Sequence, residues 1–226
     1  MTGEQTPGVA GPPHRVEAVA FDLLTGLLDS WTLWNHAAGS ADAGRKWRTT
    51  YLALTYEQGV YVAYETMVAR AARQAGISEN AVDTLFATWD TVAPWPEAEA
   101  MLVRLAAERP LAIVTNCSTA LAERAVARLG PVAIASLVTA EEVGVYKPDS
   151  RTYGRMLAEI GQAAHGTLFV AGSAYDVVGA SQAGMPVYWH NRVGLVRAAG
   201  QSAPAGAFVI EQTTLSPLVP LVLGVR

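Results

Sequence analysis

Polar side chains that could take part in chemistry follow several short apolar segments of the chain. The first is Asp22, which closes the run VEAVAFD. The others that follow such runs or lie on a nearby loop are Thr115, Asn116, Lys147, Ser173 and Asp176. A carboxylate can attack carbon, bind a metal ion or cap a turn, and a neighbouring amine can keep it ionised. These groups can act together only if the fold brings the ends of their segments to one place.

The apolar segments have the length and composition of buried strands. They cover residues 16–22, 111–115, 132–138, 167–171 and 186–190. Amphipathic stretches of helical length lie between them, at 119–129, 150–161 and 175–184. Strands that alternate with helices predict an α/β fold with a Rossmann-like parallel sheet and helices on both faces. In such a sheet, the carboxyl ends of the strands meet at one edge, where ligands bind.

The stretch 31–92 interrupts this alternation, because it has helical periodicity and no strand candidate. We therefore expect an all-helical cap over residues 31–92, inserted into an α/β core made of residues 16–30 and 93–226. A helix at 96–107 returns the chain to the sheet. Residues 1–15 are rich in Gly and Pro and are expected to form a disordered tail.

Composition excludes several classes of partner. The chain has 226 residues, a net charge of −4 and no long block of one charge, so it carries no electrostatic footprint for nucleic acid or an anionic membrane. The single Cys117 cannot form an internal disulfide, and no signal peptide or membrane span is recognisable. We expect a cytoplasmic protein whose partner is a small molecule.

The order of these motifs resembles the haloacid dehalogenase superfamily over residues 16–192. Its members have a nucleophilic Asp after the first strand, a Ser or Thr after the second, a Lys, and an acidic fourth motif. The resemblance implies that Asp22, Thr115, Lys147 and Asp176 are the catalytic residues.

Two positions argue against ordinary phosphatase chemistry. Phosphatases of this superfamily have a second Asp two positions after the nucleophile, where this chain has Leu24, and commonly an acid where it has Gly172. A departing alkoxide needs a proton that leucine cannot donate, whereas halide leaves as a stable anion. We expect no cofactor and no metal ligands, with Mg²⁺ held by Asp22 and Asp176 kept as an alternative.

Longer segments resemble L-2-haloacid dehalogenases in particular. The segment VYKPDSRTY at 145–153 matches a pattern whose Lys and Tyr face the site, which implies a role for Tyr153 as well as Lys147. The segment KWRTTYLALTY at 46–56 resembles the cap helix whose Arg binds the departing halide or the substrate carboxylate, and Arg48 takes that place.

Further substrate-binding residues follow from the same resemblance. Asn116 belongs to a Ser/Thr-Asn pair that lines the leaving-group pocket. Leu24 and Ser173 occupy positions where the family has Tyr and Asn, and Trp47 belongs to an aromatic set in the cap that would exclude water. The family's Gly-Thr pair is reversed here to Thr25-Gly26.

The resemblance, together with Leu24, implies a metal-independent hydrolase that acts through an aspartyl-ester intermediate on a small 2-substituted carboxylic acid, foremost an (S)-2-haloacid. The N–H groups of the turn after Asp22 could hold the developing oxyanion. Three alternatives stay open: a C–N hydrolase that opens azetidine-2-carboxylate, a Mg²⁺-dependent phosphatase, and a non-catalytic binding module. Related dehalogenases are often dimers, so a homodimer is an expectation from the resemblance.

Overall fold

Six parallel strands form one sheet in the computed structural model, which describes residues 15–197 and 202–224. The strands are β1 Ala18–Phe21, β2 Leu111–Thr115, β3 Ser136–Thr139, β4 Thr167–Ala171, β5 Val187–His190 and β6 Val209–Gln212. Their spatial order is β3-β2-β1-β4-β5-β6, and each neighbouring pair is parallel. The predicted Rossmann-like α/β fold is confirmed.

Helices cover both faces of this sheet because successive strand side chains point in opposite directions. In β1, Val19 and Phe21 join the core on one side of the sheet, and Ala20 joins the core on the other. Helices α5 Ala98–Ala106, α6 Thr119–Val126 and α10 Leu218–Leu223 contribute to the first core, and α8 Ser150–Ile160 and α9 Ala174–Gln182 to the second. A short helix, α7 Ala140–Val143, follows β3.

A helical insertion, residues 30–91, separates β1 from β2. It contains α1 Ser30–Ala38, α2 Ala41–Glu57, α3 Tyr64–Ala75 and α4 Glu79–Ala87. Helices α1 and α2 approach closely at Gly44, where a Cβ atom would lie 2.5 Å from the Cα atom of Asn35. Aromatic side chains fill the interior, with the rings of Trp34 and Trp47 4.6 Å apart. This packing fixes the face that α2 presents to the sheet.

The strand register aligns the carboxyl ends of the central strands. Phe21, the last residue of β1, is paired with Ile113 in β2 and with Val170 in β4. The residues that follow these three strands therefore emerge side by side. Because β1 lies in the middle, Asp22 is flanked by polar residues from both neighbours.

The structure differs from the sequence interpretation mainly at the far edge of the sheet. Strand β6 and helix α10 were not predicted, since β6 is a half-buried edge strand and α10 contains Pro220, which weakens a helical pattern. Strand β3 starts at Ser136, later than the predicted 132–138 segment, and ends beyond it at Thr139. The predicted tail lies outside the described residues except for Arg15. None of the described helices combines the length and apolar character needed for a membrane span.

Candidate active site

Asp22 is held by the turn that follows it, here called the Asp22 loop (residues 22–28). The carboxylate caps a single π-helical turn, Leu23–Leu27. Its Oδ2 atom accepts hydrogen bonds from the backbone N–H groups of Thr25 and Gly26, both at 3.0 Å, and from the Thr25 hydroxyl at 2.7 Å. The side chain is buried, with 7% of the residue exposed. The reversed Thr25-Gly26 pair therefore still orients the carboxylate.

Lys147 supplies the positive charge beside Asp22. Its Nζ atom lies 2.7 Å from Oδ1 of Asp22 and 2.9 Å from Oδ1 of Asp176, and the residue is 4% exposed. Burial alone would raise the pKa of Asp22, but the Lys147 ammonium and the hydrogen bonds from Thr25 together outweigh burial and lower that pKa to about 2. The two carboxylates likewise outweigh burial at Lys147 and raise its pKa above the ordinary value. Asp22 and Lys147 are thus both charged over the ordinary pH range.

Asp176 lies in the first turn of α9, which Ser173 caps. The Ser173 hydroxyl accepts from the Asp176 N–H at 3.2 Å and donates to Asp176 Oδ2 at 3.1 Å. Burial and the nearby Asp22 carboxylate raise the pKa of Asp176, although the Lys147 ammonium opposes that shift. A carboxylate with a raised pKa is a better proton acceptor than an ordinary one. Asp176 is therefore the better proton acceptor of the two acids, whereas Asp22 stays ionised.

Residues at the end of β2 hold Lys147 in place. The Asn116 side chain accepts from the Lys147 N–H at 2.7 Å and donates to the Lys147 carbonyl at 3.4 Å. The Thr115 hydroxyl accepts from the N–H of Cys117 at 3.3 Å. Thr115 and Asn116 both line the same cavity as Asp22. Burial raises the pKa of the Cys117 thiol to about 12, so it is not a ready nucleophile.

Arg48 projects from α2 into this cavity as a buried cation. The residue is 2% exposed, and its Nε and Nη1 atoms have no hydrogen-bond partner in the described part of the chain. The guanidinium lies over the rings of Trp31 and Trp34, at 5.0 and 5.1 Å from their centroids. A buried guanidinium with unused N–H groups is costly, and an anionic ligand would supply the missing acceptors.

The cavity itself is small, about 30 Å³, and lies between the insertion and the sheet edge. One wall is formed by α2, from which Arg48, Tyr51, Leu52 and Thr55 project. These residues are spaced by three, four and seven positions from Arg48, so they share one helical face. The opposite wall contains Asp22, Leu24, Thr25, Thr115, Asn116, Lys147, Ser173, Tyr175 and Asp176.

Several lining residues were not among the predicted site residues. Leu52 and Thr55 could have been found from their helical spacing to Arg48, and Tyr175 from its position beside Asp176. The Tyr51 hydroxyl is buried without a hydrogen-bond partner among the described residues, so it is a second unused donor on the α2 wall. The aromatic rings of Tyr56 and Tyr175, 4.6 Å apart, join the insertion to the core next to this cavity.

Two residues expected in the site, Trp47 and Tyr153, are not among the residues that line the cavity. Trp47 packs on Trp34 inside the insertion and donates its indole N–H to the carbonyl of Val68 at 2.9 Å. Tyr153 is fully buried in α8, with its ring 5.3 Å from that of Phe169. Neither residue lines the cavity. For Trp47 the rotation of α2 decides this placement, since α1 and α3 cover that side of the helix.

The close packing around Gly172 explains why this position of the fourth motif has no acidic side chain. A Cβ atom at this position would lie 2.0 Å from the Thr25 hydroxyl and 2.5 Å from Asp22 Oδ2. Any side chain there would displace the Asp22 loop. Within residues 15–197 and 202–224, no three His, Cys, Asp or Glu side chains are grouped so that they could hold a metal ion.

The parallel sheet and the charged groups beyond its carboxyl edge define an α/β protein with its site in the usual position for that class. A family model for haloacid dehalogenase-like hydrolases matches residues 16–184. The chain therefore belongs to the haloacid dehalogenase-like hydrolase family. The predicted membership and the predicted hydrolase class are confirmed.

Curated relatives agree with this assignment. The (S)-2-haloacid dehalogenase H-109 of Pseudomonas putida is 31% identical in an alignment of 198 positions that covers 80% of this chain and 88% of the relative. An (S)-2-haloacid dehalogenase of Pseudomonas fluorescens is 32% identical over 194 residues, covering 79% and 86% of the two chains. The similarity thus extends over most of both proteins.

The fold is shared with solved dehalogenases. The L-2-haloacid dehalogenase from Xanthobacter autotrophicus superposes with a TM-score of 0.78 at 22% identity, covering 93% of this chain and all of the other. A structure of the same enzyme with chloropropionic acid covalently bound has a TM-score of 0.76 at 20% identity. At such identities the likeness concerns the fold.

Proposed function

We propose that this protein is a metal-independent (S)-2-haloacid dehalogenase that forms an ester with Asp22. The observation that carries the proposal is one cavity lined both by Asp22, which Lys147 helps to keep ionised, and by the buried guanidinium of Arg48, whose Nε and Nη1 atoms have no hydrogen-bond partner among the described residues. A small acid with a leaving group on C2 would interact with both residues: its carboxylate would bind the Arg48 guanidinium, and its C2 atom would lie next to the Asp22 carboxylate. The names of the curated relatives point to the same substrate class.

The first step uses Oδ1 of Asp22. Three hydrogen bonds occupy Oδ2, whereas Oδ1 accepts only from Lys147 among the described residues. Oδ1 attacks C2, the carbon–halogen bond breaks, and the halide departs with the bonding electron pair. Arg48 binds the substrate carboxylate or the departing halide. No proton donor is required, which suits Leu24 in the cavity wall.

The second step regenerates the carboxylate. Water attacks Cγ of the ester and loses a proton to Asp176, whose raised pKa suits it as general base. The negative charge that develops on Oδ2 is held by the N–H groups of Thr25 and Gly26. The Cγ–Oδ1 bond then breaks, and the product oxygen takes a proton from Asp176. A 2-hydroxy acid leaves, and the new Asp22 carboxyl group releases its proton to solvent.

Two contacts support a mechanism without metal. Lys147 lies between Asp22 and Asp176, at 2.7 and 2.9 Å from their oxygens, and supplies positive charge there. The close packing at Gly172 leaves no room for a further carboxylate ligand. We propose that the ammonium takes the role that Mg²⁺ has in phosphatases of this superfamily.

A strained ring amine is the second candidate leaving group. In azetidine-2-carboxylate the ring nitrogen is already protonated and departs as a neutral amine, so it also needs no donor from the enzyme. Leu24 lines the cavity at the position where an acid would otherwise be expected, and this favours either leaving group over an alkoxide. Ring opening would give an open-chain hydroxy amino acid that mass spectrometry detects.

The decisive experiment is single-turnover reaction with (S)-2-chloropropionate in ¹⁸O water, without Mg²⁺ and with EDTA. We expect halide release and one ¹⁸O atom in the Asp22 side chain, both lost in Asp22→Asn. Binding without label in Asp22 would favour the binding module. Turnover of p-nitrophenyl phosphate that EDTA abolishes would favour the phosphatase. Absence of halide release from every short 2-haloacid would contradict the proposal.

We also propose that the enzyme acts as a homodimer in the cytoplasm. The dimer is supported by the frequency of dimers among related dehalogenases, and sedimentation equilibrium would test it. The cytoplasmic location is supported by the single cysteine of the sequence.

A further inference from the structure

Two carbonyl groups of the Asp22 loop, those of Thr25 and Gly26, are contacted by ring nitrogens of two aromatic side chains that lie outside the cavity. The indole N–H of Trp95 donates to the carbonyl of Thr25 at 3.0 Å. The Nδ1 atom of His190 lies 3.0 Å from the carbonyl of Gly26. Trp95 and His190 are both buried, and neither lines the cavity that contains Asp22. They therefore contact the loop without being able to touch a ligand there.

The Trp95 contact acts on a peptide group that also binds Asp22. The carbonyl of Thr25 and the N–H of Gly26 belong to one amide, and that N–H donates to Asp22 Oδ2 at 3.0 Å. A donor on the carbonyl of an amide polarises it and strengthens its N–H as a donor. The indole, the amide and Oδ2 thus form a continuous hydrogen-bond chain.

His190 is fixed as a donor to the next carbonyl. Arg192 donates from Nε to His190 Nε2 at 3.2 Å, so the ring proton is assigned to Nδ1, which faces Gly26. Both carboxylate oxygens of Glu97 bind Arg192 at 2.6 Å. The Arg192 guanidinium also lies 4.8 Å from the ring centroid of Trp95. These contacts join Trp95, His190, Arg192 and Glu97 into one cluster next to the Asp22 loop.

We propose that Trp95 and His190 are positioning residues for the oxyanion on Asp22 Oδ2: Trp95 strengthens the Gly26 N–H as a donor to that oxygen, and His190 holds the Gly26 carbonyl so that Gly26 keeps the orientation this hydrogen bond needs. The proposal rests on the proposed aspartyl-ester mechanism. In ester formation, Oδ2 loses negative charge as it becomes a carbonyl oxygen. In ester hydrolysis, Oδ2 gains a full negative charge. A stronger donor at Oδ2 therefore accelerates the second step and not the first.

The test compares two tryptophans with the same hydrogen bond. Trp95→Phe keeps most of the ring and removes the N–H. Trp89→Phe makes the same change at a buried indole that donates to the carbonyl of Leu121 at 3.0 Å, away from the Asp22 loop. With (S)-2-chloropropionate and rapid quenching, mass spectrometry measures the Asp22 ester over time. We expect Trp95→Phe to slow ester hydrolysis about tenfold, so that ester accumulates, with ester formation nearly unchanged.

A histidine pair provides the second measurement. His190→Leu removes the donor to Gly26, whereas His190→Asn keeps an N–H near the position of Nδ1. We expect ester to accumulate in His190→Leu and less in His190→Asn. A merely structural role would slow both steps together and lower the melting temperature in parallel.

The outcomes separate this inference from the proposed function. Equal ester levels in Trp95→Phe and Trp89→Phe, with no difference within the histidine pair, would overturn the positioning role while leaving the mechanism intact. If Trp95→Phe fails to fold, the histidine pair alone decides. Absence of ester and of halide release in the unmodified protein would instead reject the proposed function itself.

Discussion

The Nζ atom of Lys147 lies 2.7 Å from Oδ1 of Asp22, although 125 positions separate the two residues in the chain. This contact helps to keep a buried carboxylate ionised, since the ammonium and the Thr25 hydrogen bonds together lower the Asp22 pKa to about 2 against the opposing effect of burial. It also leaves Oδ2 to the N–H groups of the loop. One oxygen is thus kept charged for attack on carbon, and the other is prepared for the charge of the next step.

Removal of the Lys147 ammonium is expected to abolish activity and to weaken the fold. Lys147→Met would leave Asp22 and Asp176 buried without a cation, so the Asp22 pKa would rise. We expect halide release to fall by about a hundredfold or more and the free energy of unfolding to fall by about 3 to 5 kcal/mol. Urea denaturation and a halide assay measure the two effects. Lys46, the other lysine of the chain, is exposed, and Lys46→Met is expected to change neither.

Substrate affinity is expected to depend on Arg48, with little cost in stability when it is replaced. Arg48→Met removes charge-assisted hydrogen bonds to the substrate, and we expect KM to rise about tenfold to a hundredfold. Since the guanidinium is buried and its Nε and Nη1 atoms have no hydrogen-bond partner in residues 15–197 and 202–224, we expect the melting temperature to stay level or rise. Arg45→Met, at an exposed position of the same helix, is the control. An unchanged KM in Arg48→Met would contradict this role.

The two steps are expected to respond differently to acid. Asp176 has a raised pKa and Asp22 a pKa of about 2, so falling pH protonates Asp176 first. Below the Asp176 pKa, ester formation continues and ester hydrolysis slows, so halide appears in a burst followed by a slow phase. Lys147, with its raised pKa, stays charged up to at least its ordinary value of 10.5. Rapid-quench kinetics across pH measures the burst, and Asp176→Asn should show it at every pH.

A single methyl group at Gly172 is expected to inactivate the enzyme. In Gly172→Ala, the Cβ atom would lie 2.0 Å from the Thr25 hydroxyl, so the Asp22 loop must move. We expect activity to fall by about a hundredfold, in line with loss of an oxyanion donor. Gly154→Ala is the matched control, because nothing lies within 4 Å of its Cβ position in α8. That variant should keep full activity and gain up to about 1 kcal/mol of stability.

Much of the fold could be predicted because strand ends carry the polar residues. The apolar runs before Asp22 and at 111–115 and 167–171 are strands, and parallel strands bring their carboxyl ends together. The sheet order around β1 then places Asp22 between the other two segments. Strand β6 escaped prediction because it is only half buried, so its apolar signal is weak.

Side-chain direction within the helices could not be obtained in the same way. Helix α2 has large residues on most of its circumference, and only its contacts with α1 and α3 decide that Tyr51 lines the cavity and Trp47 does not. No sequence motif or spacing pointed to Trp95 or His190 as neighbours of the Asp22 loop. Their contacts with the Asp22 loop are made to backbone carbonyls, which any residue type supplies and which therefore leave no sequence pattern.

The residues that would recognise the substrate and the residues that would react with it come from different parts of the fold. Arg48, Tyr51, Leu52 and Thr55 share one face of α2. The bond-breaking groups come from loops at the sheet edge, whereas four side chains on one helical stretch shape the opposing wall. Replacement of Tyr51, Leu52 and Thr55 around a retained Arg48 would therefore redirect the enzyme to acids of another size without altering its nucleophile, its base or its ammonium. New selectivity could thus evolve through a single short segment of the gene.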